Sequence, residues 1–304
     1  MKLVIYCIMC VVLLISCKKT TESDTQPSLD IQINHSNTSL AAIPDEYISA
    51  ARNQLHIMYG HTSHGSQITD AMVALQTWKT GYDTKYAVSS SEESGVLHLV
   101  HGSFPNGDSW ASDLGNPDFT SWESATRQYL LNHPEINVVM WSWCGQVSGA
   151  SEGTITTYLN LMNGLEEDYP NVVFVYMTGH LDGTGTAGNL HQRNEQIRAY
   201  CRLNKKVLFD FADIESYDPD GNEYLSRYGT DGCNYDFNNN GSTSQSGDPA
   251  EPTDGDKNWA SDWQTAHPSD WFATSCAHSK PLNGNRKAYA AWHLFARIAG
   301  WNGM

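Results

Sequence analysis

The segment Tyr59-Gly60-His61-Thr62-Ser63-His64-Gly65-Ser66-Gln67 places two hydroxyls, Thr62 and Ser63, between two imidazoles, with a glycine on either side. A serine hydroxyl is a weak nucleophile until a base stands within hydrogen-bond reach, and histidine is the usual base. The neighbouring residues say how this segment is held. Gln54-Leu55-His56-Ile57-Met58 is a short apolar run that predicts a buried strand. Ile68, Ala71, Met72, Leu75 and Trp78 then recur at helical spacing. Ser63 is therefore expected on a strand-to-helix turn, where backbone N–H groups face whatever binds. The plainer alternative is that Ser63 caps the helix and the histidines are loop residues.

The elements that would position such a turn alternate along the chain. Strands are predicted at 95–101, 136–143, 171–177 and 206–211 in addition to the one before Ser63, with helices at 122–131, 154–167, 190–203 and 282–299. The run Ile136-Asn137-Val138-Val139-Met140-Trp141-Ser142-Trp143 has the near-continuous apolar character of a strand buried on both faces. Five strands alternating with helices predict an α/β domain with a parallel sheet covered on both sides, three layers in all. Groups at the carboxyl ends of such strands gather into one site. Ser63, Asp108, Gly145, Gln146, His180 and Asp182 all fall there.

The first 17 residues stand apart. Lys2 is followed by an apolar run from Leu3 to Ser16, short for a membrane span. It ends in Leu14-Ile15-Ser16-Cys17, which resembles a bacterial lipobox. That resemblance implies cleavage before Cys17, lipidation of its thiol, export, and a membrane anchor made of lipid. Residues 18–43, rich in polar types, are expected to be a flexible tether, with the domain running from 44 to 304. The formal net charge of the 304-residue chain is −16. Such acidity argues against nucleic acid and anionic membrane as partners, since both reward Lys and Arg.

Residues 217–277 break the alternation. They are dense in Asp, Asn, Gly, Ser and Trp and form an insertion before the last helix. Cys233 and Cys276 bracket much of it and are the expected disulfide in an exported protein. No cofactor is expected, with one exception to weigh. Asp236, Asn238 and Asn240, followed by Gly241, match the first half of a calcium loop, although Gly247 stands where an EF-hand has glutamate. A solvated turn explains the same residues.

The order of elements resembles the SGNH (GDSL-like) hydrolase superfamily over about residues 52–216 and 277–302, which implies a flavodoxin-like α/β/α fold. Ser63 matches its nucleophile by position, in a His-Thr-Ser-His-Gly setting where most members have Gly-Asp-Ser. His278, followed by Leu282-Asn283 and the last helix, is similar to the family's histidine block. The resemblance implies oxyanion donors at Gly107 and Gly145, with Gln146 replacing the family's asparagine. The family usually has Asp three residues before the histidine, and here that residue is Ser275. Asp270 is the expected acid, with Asp262, Asp182 or a bare Ser–His dyad as alternatives. His61, His64, Asp108, His180 and Asp182 are expected to bind substrate, and Trp141, Trp143, Trp263 and Trp271 offer sugar-stacking faces unless packing consumes them.

Together these features predict an exported esterase that removes acyl groups, acetyl above all, from a glycan. Two other classes compete. The histidines His61, His64, His98, His101 and His180 with Asp182 would suit a metal-dependent hydrolase or lyase, although none has a recognised ligand spacing. A glycan-binding lipoprotein without activity would explain the missing Asp before His278.

Overall fold

The computed structural model describes residues 29–247 and 251–304. The leader, Cys17 and the first part of the expected tether lie outside the described residues. Seven parallel strands make the central sheet: β1 (Ile31–Ile33), β2 (His56–Gly60), β3 (Val88–Ser89), β4 (Leu97–Gly102), β5 (Val138–Trp141), β6 (Val173–Met177) and β7 (Val207–Phe209). Their spatial order is β1-β7-β6-β5-β2-β4-β3. The five strands expected from sequence are β2, β4, β5, β6 and β7, and among themselves they follow the doubly wound order 2-1-3-4-5. The sheet gains one short strand at each edge. One of these, β1, pairs with β7 through Ile31–Val207, Gln32–Leu208 and Ile33–Phe209. The stretch from residue 29 to 43 is thus part of the domain and not a tether. Ile31 and Ile33 are buried on the core side, and a three-residue alternation inside a polar stretch is too short to show as periodicity.

Helices cover both faces. The layer made by α1 (Asp45–Gln54), α2 (Ser63–Leu75) and the last helix, α8 (Pro281–Ile298), packs Ile48, Ile68, Met72, Trp292 and Phe295 on Ile57, Tyr59, Val138, Met140 and Val175. On the opposite face α3 (Ser121–Asn132), α4 (Glu152–Asp168) and α5 (Asn189–Asn204) pack Trp122, Ile155, Leu159 and Ile197 on Met58, Val139, Phe174 and Tyr176. Successive strand residues face opposite layers, so both hydrophobic sets come from the same unbroken apolar runs. No helix among the described residues is long and apolar enough to cross a membrane.

The insertion is ordered on its own terms. It holds two short antiparallel pairs and α7 (Trp259–Ala266) around a small core of Tyr224, Cys233, Tyr235, Trp259 and Ala260, closed by Leu282 at the start of α8. Cys233 and Cys276 are free thiols, which corrects the expected disulfide. Cys233 Sγ lies 3.4 Å from Ser279 Oγ, and Cys276 Sγ packs against Gly284 on α8. Aromatic packing holds the segment instead. Asp236, Asn238 and Asn240 accept hydrogen bonds from the loop's own N–H groups at Asn240, Gly241 and Ser242, so the turn closes on itself.

One buried ion pair joins the segments that reach the carboxyl edge. Lys287 of α8 donates to Glu215, at the end of α6 (Phe211–Glu215), at 2.5 Å, and neither side chain has any exposure. Lys287 also donates to Gln67 of α2, which in turn donates to the Ala277 carbonyl at 2.6 Å. The second Glu215 oxygen accepts from the Leu181 N–H at 2.9 Å. Removing one partner of such a pair leaves an uncompensated buried charge, at a cost of about 3–5 kcal/mol. Lys287→Met should therefore lower the unfolding free energy by roughly that amount, read from urea denaturation. A Lys287→Met/Glu215→Leu double variant should recover much of the loss.

Candidate active site

Ser63 is the first residue of α2, directly beyond β2, with Thr62 as the N-cap. Two features shape this turn. Gly65 has no room for a side chain: an added Cβ would sit 2.3 Å from His61 Cβ and 2.4 Å from Ser142 Oγ. The turn is also anchored by Asp113, which is 1 % exposed. Asp113 accepts from Thr62 Oγ1 at 2.6 Å, from Gln146 Nε2 at 3.0 Å and from the Gly115 N–H at 2.9 Å. One carboxylate thereby fastens the loop after β2 to the loop after β5.

His278 reaches this turn from the other end of the chain. Its Nε2 lies 2.9 Å from Ser63 Oγ, across 215 residues of sequence. The residue takes φ +64°, a left-handed conformation that costs a non-glycine residue about 1–2 kcal/mol. The neighbouring contacts hold it there. The Ala277 carbonyl is taken by Gln67, and Ser279 Oγ accepts from Asn283 at 2.8 Å.

A second constellation stands beside the first. His64 Nδ1 is 3.2 Å from Cys144 Sγ, and His64 Nε2 is 3.0 Å from Asp231 Oδ2. Cys144 follows β5 and lies 3.7 Å from Ser63 Oγ. Asp231 comes from the insertion. Its N–H donates to the Leu181 carbonyl, while Gly183 donates to Gly229, so residues 229–231 run beside the loop after β6. The His180 ring stacks on His64 at 3.7 Å between centroids and 1° between planes, and the His278 ring stacks on His64 at 4.7 Å.

The charges follow from these contacts. Burial opposes a charge on His64, but hydrogen bonds to Asp231 and Cys144 outweigh it and hold the imidazole up at about 9. The hydrogen bond from His64 is the main reason that the Cys144 thiol falls to about 7. Burial works against the Asp231 carboxylate, yet His64 and His180 keep its pKa below the usual value. His180 is pushed down by burial and then by the charge on His64. Its Nδ1 donates to the Leu181 carbonyl at 2.7 Å, because a carbonyl can only accept.

His64, His180 and Asp231 bring ligand-type atoms within 4.8 Å of one another. An imidazole lone pair lies in the plane of its ring, and two parallel stacked planes do not meet at one ion. A metal here would require one ring to turn out of the stack.

The other residues expected at the site divide clearly. Gly145 adjoins it: a Cβ built there would stand 3.8 Å from His180 Nε2. Gln146 is a brace, since its oxygen accepts from the Cys144 N–H at 2.8 Å and its nitrogen is committed to Asp113. Gly107 turns a hairpin between residues 104–106 and 109–111, and its N–H is taken by Gln128. Asp108 is exposed on the same turn. Asp182 accepts from the backbone and hydroxyl of Thr184. Asp270 is exposed, 3.8 Å from His267. Trp141 and Trp143 belong to the core and donate to Thr126 and the Met177 carbonyl. Trp263 and Trp271 donate to Asp220 and the Gln264 carbonyl, and His267 stacks on Trp263. Cys144, Asp113 and Asp231 were missed. Cys144 alone had a signal, as a cysteine directly beyond the clearest strand.

No protein-family model matches the chain, and no curated protein is detectably similar to it. The chemistry must be read from the side chains themselves.

His61 offers a test of the site's charge state. Its Nδ1 donates to the Thr62 carbonyl at 2.9 Å, so Nε2 accepts from His101 Nδ1 at 3.0 Å. Burial, opposed by that carbonyl and aided by His101, pushes His61 down to about 4. Between about pH 6.5 and 4 the unfolded chain binds a proton there that the folded chain refuses. The stability this neutral ring contributes is full above pH 6.5 and is lost as pH falls towards 4. His61→Gln should flatten that part of the stability curve, by on the order of 3 kcal/mol in urea unfolding compared at pH 7 and pH 4.

Proposed function

We propose that this protein is a serine ester hydrolase of SGNH type that removes acyl groups from an exported or surface carbohydrate. The observation that carries the reading is the 2.9 Å contact between His278 Nε2 and Ser63 Oγ at the carboxyl edge of a doubly wound sheet. His278 Nε2 takes the Ser63 proton as Oγ bonds to the ester carbonyl carbon. The same proton passes to the departing alcohol when the C–O bond breaks. Water then repeats the sequence on the acyl-serine, with His278 again as base. The N–H groups of Ser63 and Gly145 are the proposed oxyanion donors. Each such donor is worth roughly 3–4 kcal/mol in the transition state.

The carbohydrate, the export and the lipid anchor at Cys17 rest on the leader sequence. The acidic surface fits a neutral substrate better than a polyanion. Asp270, exposed and beside His267, has no place in this mechanism.

The test is hydrolysis of p-nitrophenyl acetate and of acetylated xylo- and manno-oligosaccharides by the purified protein. Ser63→Ala and His278→Ala should each reduce kcat/KM by at least ~10³-fold with the fold intact, since such pairs act as a unit. Labelling by a fluorophosphonate should disappear in both variants. Oligosaccharide binding without turnover would replace the hydrolase with a binding protein. Turnover abolished by chelation and indifferent to Ser63→Ala would replace the serine mechanism with a metal-dependent one.

A further inference from the structure

The hydrolase reading uses Ser63 and His278 and leaves Cys144, His64 and Asp231 without a task. Their arrangement is specific. His64 stands between a thiol and a carboxylate, one ring nitrogen on each, at 3.2 Å and 3.0 Å. A ring held in this way receives a proton on one side while the carboxylate fixes its tautomer and orientation on the other. All three residues come from different segments: the first turn of α2, the loop after β5 and the insertion. Cys144 is also unlike the other described thiols. Cys201 and Cys233 are buried, and burial pushes Cys233 and Cys276 up to about 12. Cys144 is half-buried, and His64 draws it the opposite way. Its sulfur is 3.7 Å from Ser63 Oγ, so a carbonyl carbon presented to the serine is presented to the thiol as well.

We propose that Cys144 is a second nucleophile of this site, with His64 as its proton acceptor and Asp231 as the positioning residue, and that it takes up the acyl group of an ester as a thioester. The choice of an ester as electrophile rests on the hydrolase reading. The step balances without any added reagent. The Cys144 proton rests on His64, and the thiolate sulfur bonds to the carbonyl carbon. The C–O bond to the alcohol breaks, and the departing oxygen takes the proton from His64. Water completes the cycle when His64 removes its proton, the new C–O bond forms, the C–S bond breaks, and the proton returns to the sulfur. A thioester is more reactive towards amines and alcohols than an oxygen ester. The second nucleophile therefore suits transfer of the acyl group to an acceptor as well as its hydrolysis.

Ser63→Ala separates the two nucleophiles. The folded variant, checked by thermal melting, is mixed with p-nitrophenyl acetate, quenched in acid within seconds and mapped by peptide mass spectrometry. The expected result is an acetyl group on Cys144 that neutral hydroxylamine removes. His64→Gln and Asp231→Asn made in the same background should slow its appearance, the first by ~100-fold, as for loss of a general base. Should His64→Gln fail to fold, Asp231→Asn still reads the relay. Iodoacetamide at pH 7.5 should modify Cys144 ahead of Cys201, Cys233 and Cys276. A folded Ser63→Ala protein with no acetyl on Cys144 would overturn the proposal, and so would acetylation that His64→Gln and Asp231→Asn leave unchanged. Fluorophosphonate labelling of Cys144→Ala reports on Ser63 alone, so failure of the thiol leaves the serine mechanism standing and the reverse is equally visible.

Discussion

Helix α2, the residues before His278 and the loop after β6 meet at Lys287 and Glu215, a charge pair with no access to water. Burying two charges carries a desolvation cost that their attraction repays only with further hydrogen bonds. Those bonds are what give the pair its architectural weight. Lys287 holds Gln67 in the helix that begins with Ser63, and Gln67 holds the carbonyl next to His278. Glu215 holds the N–H next to His180. One helix and two loops from distant parts of the chain are set against one another by a single polar knot beneath them. An apolar filling of equal volume could match its stability, but it would have no means of fixing loop backbones at hydrogen-bond precision.

Above the knot, polar groups are arranged in two strips. One runs from Ser63 to His278. The other runs from Cys144 through His64 to Asp231. The imidazole stack of His180, His64 and His278 lies across both. Hydrogen bonds to Asp231 and Cys144 favour the charged form of His64, while burial and then that charge push the His180 pKa down. Gly65 permits the close approach of the helix to β5 that brings Cys144 alongside Ser63, and Asp113 locks the two loops at that distance.

The chain announces its scaffold far better than its site. Buried parallel strands must be apolar almost throughout, so β2, β4, β5, β6 and β7 stand out as runs such as Val138 to Trp141. Edge strands carry no such demand, and β1 passes unseen inside a polar segment. Ser63 and His278 were legible because a strand-to-helix turn and the start of a closing helix are local features. Asp231 was not, because its only claim on the site is a contact with His64 across 167 residues. Gly107 and Asp270 show the opposite hazard. Each sits near the expected place in the order of elements, yet the Gly107 N–H is taken by Gln128 and the Asp270 carboxylate lies beside His267. Order along the chain places loops, and only packing places side chains within them.

The insertion that supplies Asp231 also gives the protein a chronology. Ser63 and Cys144 are synthesised in the first half of the chain, while Asp231 and His278 arrive near its end, and β1 cannot find its place until β7 exists to receive it. Until the segment before the final helix docks, His278 does not reach Ser63, and until the insertion is in place Asp231 does not reach His64. The arrangement is a property of the finished molecule, so a chain still being made carries these side chains without the contacts that set them against one another.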